Sequence, residues 1–73
     1  MINIQDIIPF MKKGWVAMDK DKEWCWFEEK PVKSVCDDMW VRTNPCNFQS
    51  ISTIFDIAPA DDWTKSLIKV GGK

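Results

Sequence analysis

Among the side chains that could act as nucleophiles, metal ligands or acid–base groups are three cysteines and 11 aspartates and glutamates, and the chain has no histidine. Without histidine, imidazole general bases, histidine-activated nucleophiles and imidazole metal ligands are all excluded. Cys25, Cys36 and Cys46 are widely spaced and form no C-x-x-C pair, so their pattern is not that of a zinc site. Their odd number argues against a disulfide framework and favours a reducing compartment. We expect Cys25 to be a small core hydrophobe.

One acidic segment has the spacing of a calcium-binding loop. Asp19, Asp21 and Glu23 alternate along the chain, as acids do at the start of an EF-hand loop. Such a loop also needs glycine at its sixth position and an acid at its twelfth. Those positions hold Trp24 and Lys30, so we interpret the segment as the solvated tip of a hairpin.

Two pairs of neighbouring acids, Glu28-Glu29 and Asp61-Asp62, could serve acid–base chemistry. The first pair is more simply the exposed end of a strand, and the second is more simply a helix cap. The sequence has no glycine-rich phosphate loop. We therefore expect a protein that is not an enzyme, with no catalytic residues, no metal site and no cofactor.

Five tryptophans in 73 residues are the strongest functional signal. Tryptophan is common at binding hot spots and stacks on flat ligands, although core packing is the competing role for each indole. Of the five tryptophans, Trp40 is the one that we most expect to be exposed, because it lies in a polar, irregular segment beside Arg42. Three other indoles fall in one hairpin-like stretch. The candidate binding residues are Trp40, Arg42, Trp15, Trp24 and Trp26.

Those three indoles must be positioned by a β-hairpin, since residues 15–18 and 23–28 read as two strands around a polar turn. A turn centred on Lys20-Asp21 pairs Ala17 with Trp24 and Trp15 with Trp26. Moving the centre by one residue pairs Ala17 with Trp26. Both registers place the indoles on one face. The other face is also apolar, so we expect cover on both faces, or cover on one and binding on the other.

Helical spacing predicts two helices around this hairpin. The first contains Ile4, Ile7, Ile8 and Met11, is capped by Asn3, and either kinks at Pro9 or begins at Asp6 so that Pro9 lies in its first turn. The second follows a cap at Asp61 or Asp62, because Trp63, Leu67 and Val70 are spaced for one helix face.

Further strands are expected between the hairpin and the second helix. Residues 32–47 look irregular apart from a short strand at 39–43. Alternation of Ile51, Thr53, Phe55 and Ile57 favours a strand over a helix for residues 48–58. The predicted fold is α+β, a small antiparallel sheet of three to four strands with an N-terminal and a C-terminal helix, in a single domain over residues 1–73.

The charge balance and hydropathy restrict the partners. Ten basic residues face 11 acidic ones, the net charge is −1 and no basic run occurs, which argues against nucleic-acid binding. The sequence has no 18-residue apolar stretch and no signal-peptide pattern. We therefore expect a soluble cytoplasmic protein that does not associate with membranes.

Four motifs are spread along the chain: Gly14–Asp19, Glu23–Pro31, Trp40 and Ala58–Leu67. Together they resemble small uncharacterised proteins encoded by bacteriophages and prophages, and the resemblance extends over most of the chain. Those proteins have glycine at the hairpin turn, where this chain has Lys22. The resemblance carries no established activity over to any residue, but small phage proteins of this kind are often expressed to disable or redirect a host protein.

The leading hypothesis is a phage-derived accessory protein in the host bacterial cytosol that binds a host protein stoichiometrically, for example as an inhibitor of a defence system. The first alternative is a protein that binds or sequesters a nucleotide signal, with an indole stacked on the base and Lys12, Lys13 and Arg42 contacting phosphate. The second alternative is a structural or assembly component of the virion. The sequence leaves the target open, and also whether the chain is a monomer or a homodimer.

Overall fold

A computed structural model describes residues 1–43, 45 and 47–71. The elements are, in chain order, helix α1 (Ile4–Ile7), a 3₁₀ turn (Ile8–Phe10), β1 (Gly14–Met18), β2 (Trp24–Phe27), β3 (Val32–Ser34), β4 (Met39–Val41), β5 (Phe48–Ser50), a 3₁₀ turn (Trp63–Lys65) and β6 (Ile68–Val70). A four-stranded antiparallel sheet has the order β5-β2-β1-β6, and β3 and β4 form a separate two-stranded sheet.

The loop between β1 and β2 is one residue longer than both predicted registers assumed. Asp19 and Glu23 close it, with the Asp19 N–H donating to the Glu23 carbonyl at 3.0 Å, which leaves three loop residues. Lys22, the last of them, has a φ of 72°. A three-residue hairpin loop that ends in a left-handed residue is a common alternative to the two-residue turn.

The longer loop separates the three indoles of the hairpin. Trp15 lies opposite Phe27, and Val16 lies opposite Trp26. Because successive side chains point to opposite faces, a shift of one residue moves a whole strand's side chains to the other face. The expectation of three indoles on one face is therefore wrong. Face A carries Val16, Met18, Trp24 and Trp26, and face B carries Trp15, Ala17, Cys25 and Phe27.

Both faces are covered, so the sheet lies between two small cores. Face A packs against the N-terminal segment and the chain before and within β6, through Ile4, Ile51, Ile57 and Val70. Face B packs against the β3–β4 hairpin, chiefly through Trp40. The half-buried Trp63 contacts both clusters, so it joins the two cores at one end of the sheet.

The predicted N-terminal helix is present but is only one turn long. Asn3 caps it as expected, accepting the Gln5 N–H at 3.0 Å. The chain then continues as a 3₁₀ turn that contains Pro9, because proline lacks the donor that an α-helix would need. Gly14 begins β1, where a Cβ atom would collide with the Phe27 carbonyl and the Trp26 indole.

The predicted C-terminal helix is wrong. Asp62 does cap a turn, accepting the Thr64 N–H at 2.9 Å, but the turn ends after Lys65. The chain then enters β6, which pairs with the edge of β1. A single turn gains little from helical hydrogen bonds, whereas β6 completes the ladder of β1 and buries Val70 on face A.

The middle of the chain departs from the prediction in two ways. Strand β4 lies within the predicted strand at 39–43, but its partner β3 was expected to be irregular. Strand β5 covers only the start of residues 48–58. After it, the Ile54 and Phe55 N–H groups both donate to the Ile51 carbonyl, so this segment is a turn. Among the described residues, no helix has the length and apolar character needed to cross a bilayer.

Candidate functional site

Two of the candidate indoles are core residues. Trp24 is 1% exposed, and its indole N–H donates to the Ala58 carbonyl at 3.1 Å. Trp40 is 7% exposed, so the expectation that it is exposed is wrong. The β3–β4 hairpin folds Trp40 onto face B, where its indole N–H donates to the Trp63 carbonyl at 3.1 Å.

The three other candidate residues are more accessible but do not form one site. Trp26 is half-buried on face A, and its indole N–H donates to the Lys12 carbonyl at 3.1 Å. Trp15 is half-buried on face B, near the β6 side of the sheet. Exposed Arg42 lies over the ring of Phe48, with its guanidinium carbon 4.4 Å from the ring centroid.

Phe48 belongs to β5, which is an open edge of the four-stranded sheet. The Glu28 N–H donates to the Asn47 carbonyl and the Ile51 N–H donates to the Trp24 carbonyl, both at 2.9 Å. In an antiparallel ladder, alternate residues point their backbone groups at the partner strand. The backbone N–H and carbonyl groups of Asn47, Gln49 and Ile51 therefore face β2. The backbone groups of Phe48 and Ser50 point outward, away from β2.

Most of these outward groups have no partner in the described part of the chain. The Ser50 carbonyl accepts the Thr53 hydroxyl at 3.2 Å. No bond is made there by the Phe48 N–H, the Phe48 carbonyl or the Ser50 N–H. Strand β5 also has no charged side chain. Natural edge strands are commonly protected by short length, charges, proline or bulges. β5 is short, with three residues, but it carries no charge and no proline, so its outward backbone groups can pair with another strand.

A groove opens beside β5 on each face of the sheet. Groove A has a volume of about 550 Å³ and is mostly apolar, with Lys12 and Glu28 as its charged residues. Its apolar lining comes from Met11, Trp26, Phe48, Ile51, Ile54 and Phe55. Groove B has a volume of about 340 Å³ and lies on face B. It is lined by Asp19, Cys25, Phe27, Met39, Trp40, Val41, Arg42 and Phe48.

We call the outward side of β5 together with these two grooves the β5 edge. Phe48 lines both grooves, and its ring stacks on Phe27 with the centroids 6.2 Å apart. Three of the candidate residues contribute to the β5 edge, Trp26 in groove A and both Trp40 and Arg42 in groove B. Trp24 and Trp15 line neither groove.

Two ionisable groups that line groove B, Cys25 and Asp19, have raised pKa values. Burial raises the pKa of the Cys25 thiol to about 12, and the Asp19 carboxylate adds to the shift. This thiol therefore stays protonated, as expected for a core hydrophobe. Burial also raises the pKa of Asp19. The backbone N–H of Trp40 donates to the Asp19 carboxylate at 2.8 Å, and this bond acts in the opposite direction by lowering the pKa.

The remaining cysteines and acidic residues add no metal site within the described residues. Cys36 is exposed and is not in a disulfide, and Cys46 lies outside the described part of the chain. The described residues contain no group of three or more His, Cys, Asp or Glu side chains arranged to hold a metal ion.

A separate feature surrounds Trp15. The Lys30 ammonium lies 5.5 Å from the centroid of the Trp15 ring, and the Lys69 ammonium lies 6.0 Å from it. Neither lysine forms an ion pair with a described carboxylate, since the ion pair found among the described residues joins Lys20 and Asp38. Two ammonium groups therefore converge on one indole, and neither is paired with a carboxylate of the described residues.

The phosphate-contacting set predicted from the sequence is not assembled around one indole. Lys12 lines groove A and Arg42 lines groove B, on opposite faces of the sheet. Lys13 lies at neither groove. Its backbone passes close to Gly71, where an added Cβ atom would lie 3.2 Å from the Lys13 Cα.

Sequence reasoning missed the β5 edge itself. Its signal is the uncharged Phe48-Gln49-Ser50 run, which shows that a strand there would be unprotected but not that it lies at an edge. Comparison with family models, with curated proteins and with solved structures gives no match for this chain. The resemblance to phage-encoded proteins therefore stays a prediction, and the geometry of the β5 edge is the basis for a function.

Proposed function

We propose that this chain is a phage-derived accessory protein that binds a bacterial host protein stoichiometrically through the β5 edge. The observation that carries the proposal is an open, uncharged edge strand with a groove on each of its two faces. Groove A is lined by Glu28 and groove B by Asp19 and Cys25, but the chain has no histidine to activate a nucleophile and the Cys25 thiol stays protonated, which favours binding over an enzymatic reaction.

Exposed apolar side chains at groove A support a protein partner. Phe48 is 52% exposed, Ile54 is 59% exposed and Phe55 is 39% exposed. A contiguous apolar patch with polar residues at its rim is typical of a protein-interaction surface. Lys12 and Glu28 supply such a rim. The opposite edge strand, β6, differs because it carries the charged Lys69.

The form of action that fits such a surface is occlusion. A chain of this size that covers part of a host protein can block its contacts with other molecules without any chemistry of its own. Inhibition of a bacterial defence component is therefore the specific form we propose, in the cytosol of the host.

Capture from bacterial cells tests the proposal. The tagged protein is expressed in a bacterial host, and co-purifying proteins are identified and quantified by mass spectrometry. We expect one partner at stoichiometric amounts, lost when Ile54→Asp places a charge in groove A. Val35→Asp is the matched control, because Val35 is 64% exposed and lines neither groove. The absence of a partner at micromolar protein, or equal loss in both variants, would contradict the proposal.

A second candidate function, binding of a nucleotide signal, is favoured by the convergence of Lys30 and Lys69 on Trp15. An indole can stack on a base while ammonium groups contact phosphate. A panel of nucleotides tests this by thermal shift, with Trp15→Ala as the variant. A shift in the melting temperature that disappears in Trp15→Ala would support it, and no shift with any nucleotide would count against it.

A further inference from the structure

We propose that the partner binds by adding an extended, antiparallel strand to β5, so that alternate side chains of that strand enter grooves A and B. This inference rests on the proposed function, because it specifies how the β5 edge recognises a partner. The two grooves and the outward backbone groups of β5 together define the chemistry of the bound segment.

The backbone of β5 offers a ready row of hydrogen-bonding groups. The Phe48 N–H, the Phe48 carbonyl and the Ser50 N–H all point away from β2 and bond to nothing in the described residues. An antiparallel strand would exchange two bonds with Phe48 and accept a third from Ser50. Every strand pair in the sheet is already antiparallel, so such an addition continues its pattern.

The two grooves match the alternation of side chains on a strand. Residues directly opposite each other in a ladder place their side chains on the same face. A partner residue opposite Gln49 therefore lies on the face of groove A, and residues opposite Phe48 or Ser50 lie on the face of groove B. In strand addition, backbone bonds give affinity and pockets for alternate side chains give specificity. The predicted segment thus has an apolar residue opposite Gln49.

A second copy of this chain fits the same edge poorly. In a two-fold pairing that joins the outward groups of two β5 strands, the second copy has Asn47, Gln49 and Ile51 on the face of groove A. Ile51 is already buried in its own core, so the second copy would add two amides to a groove that Asn47 and Gln49 of the first copy already line. These further amides would leave the exposed Ile54 and Phe55 side chains without an apolar contact, at a cost in desolvation. The geometry therefore favours a segment of a different protein.

Selective N-methylation of a peptide tests the mode of binding without changing the protein. The probe is an eight-residue peptide with leucine and threonine alternating and a lysine at each end. With leucine over groove A, the threonine residues lie opposite Phe48 and Ser50 and use their amides for the backbone bonds. We expect methylation of the threonine amides to weaken binding about tenfold or more, and methylation of the leucine amides to change it by less than about twofold.

Binding is measured by NMR titration of the full chain, following the amide signals of β5. Equal loss from both methylation patterns, no loss from either, or no binding at millimolar peptide would overturn strand addition. The reverse pattern, with the leucine amides required, would overturn the predicted arrangement, because the leucines would then lie opposite Phe48 and Ser50 on the face of groove B, or the strand would be parallel.

A pair of variants in the protein gives a second test. Ser50→Pro removes an outward N–H that makes no bond in the free chain, and proline is tolerated in edge strands at such positions. It also removes the Ser50 hydroxyl bond to the Glu23 carboxylate, at 2.6 Å, and Ser50→Ala controls for that loss. We expect Ser50→Pro to lower affinity for the peptide about tenfold and Ser50→Ala to leave it within about twofold.

The same two variants separate the two proposals. If a host protein is captured through Ile54 but binds Ser50→Pro as well as it binds Ser50→Ala, the proposed function stands and strand addition is wrong. If the peptide shows the expected methylation pattern while no host protein is captured, strand addition stands and the proposed function is wrong.

Discussion

The indole N–H of Trp40 donates to the carbonyl oxygen of Trp63 at 3.1 Å, and this bond ties the β3–β4 hairpin to the turn before β6. Trp40 is also the main core residue that the hairpin contributes to face B. The residue expected to be the exposed binding indole therefore holds the second core together.

Trp40→Phe should lower the free energy of unfolding by about 1–3 kcal/mol, because it removes a part-buried hydrogen bond and leaves the Trp63 carbonyl without that donor. Urea denaturation measures the change. Trp15→Phe is the control, since the Trp15 indole N–H makes no hydrogen bond to a described residue and should cost less than about 1 kcal/mol. Equal costs in the two variants would show that the Trp40–Trp63 bond does not stabilise the fold.

Ser66→Ala should also destabilise the chain, by about 1–3 kcal/mol. The buried Ser66 hydroxyl accepts the Met18 N–H at 2.8 Å and lies 2.7 Å from the Trp63 carbonyl. Its removal leaves the Met18 N–H buried and unpaired. Thermal unfolding compares this variant with Ser34→Ala, which removes an exposed hydroxyl that donates to Asp37. A cost for Ser34→Ala as large as that for Ser66→Ala would contradict the argument.

Lys22→Gly should stabilise the hairpin by about 0.5–1 kcal/mol, because Lys22 has a φ of 72° and a side chain in that region is strained. Lys20→Gly is the matched control, since Lys20 is an exposed loop residue without a positive φ. A gain in the melting temperature for Lys22→Gly alone is expected, and a loss would exclude the three-residue loop.

Stability should fall with pH above the ordinary thiol range because of Cys25. Burial raises its pKa from an ordinary value near 9.0 to about 12 in the folded chain. Between these values the unfolded chain loses the thiol proton and the folded chain keeps it, so the folded state is favoured less as pH rises. The slope from this group approaches about 1.4 kcal/mol per pH unit. Urea titrations of wild type and Cys25→Ala from pH 8 to 11 should run nearly parallel at pH 8 and diverge towards that slope above about pH 9, and curves that stay parallel to pH 11 would refute the assignment.

Local patterns in the sequence predicted much of the fold. Alternation located β1 and β2, a short apolar run located β4, and the capping roles of Asn3 and Asp62 were visible from residue type. The expectation that Cys25 is a small core hydrophobe is confirmed, since it is buried between apolar neighbours in β2. These features depend on neighbours within a few residues, which is why the sequence alone was sufficient.

The errors arose where distant segments decide the outcome. The hairpin register depended on Lys22 accepting a left-handed conformation that its side chain disfavours. The segment Ile68–Val70 became a strand because β1 had an open edge for it. The candidate site was only partly predicted for the same reason. β5 is an edge strand because of the strand order of the sheet, and no local motif in the sequence determines that order.

Amide hydrogen exchange of the chain, free and bound to its captured host partner, tests the central claim most directly. In the free chain we expect fast exchange at Phe48 and Ser50 and slower exchange at Gln49 and Ile51, which face β2. In the complex, Phe48 and Ser50 should become protected while the exposed turn at Val35 does not. Protection confined to other residues, or the absence of any captured partner, would contradict binding at the β5 edge.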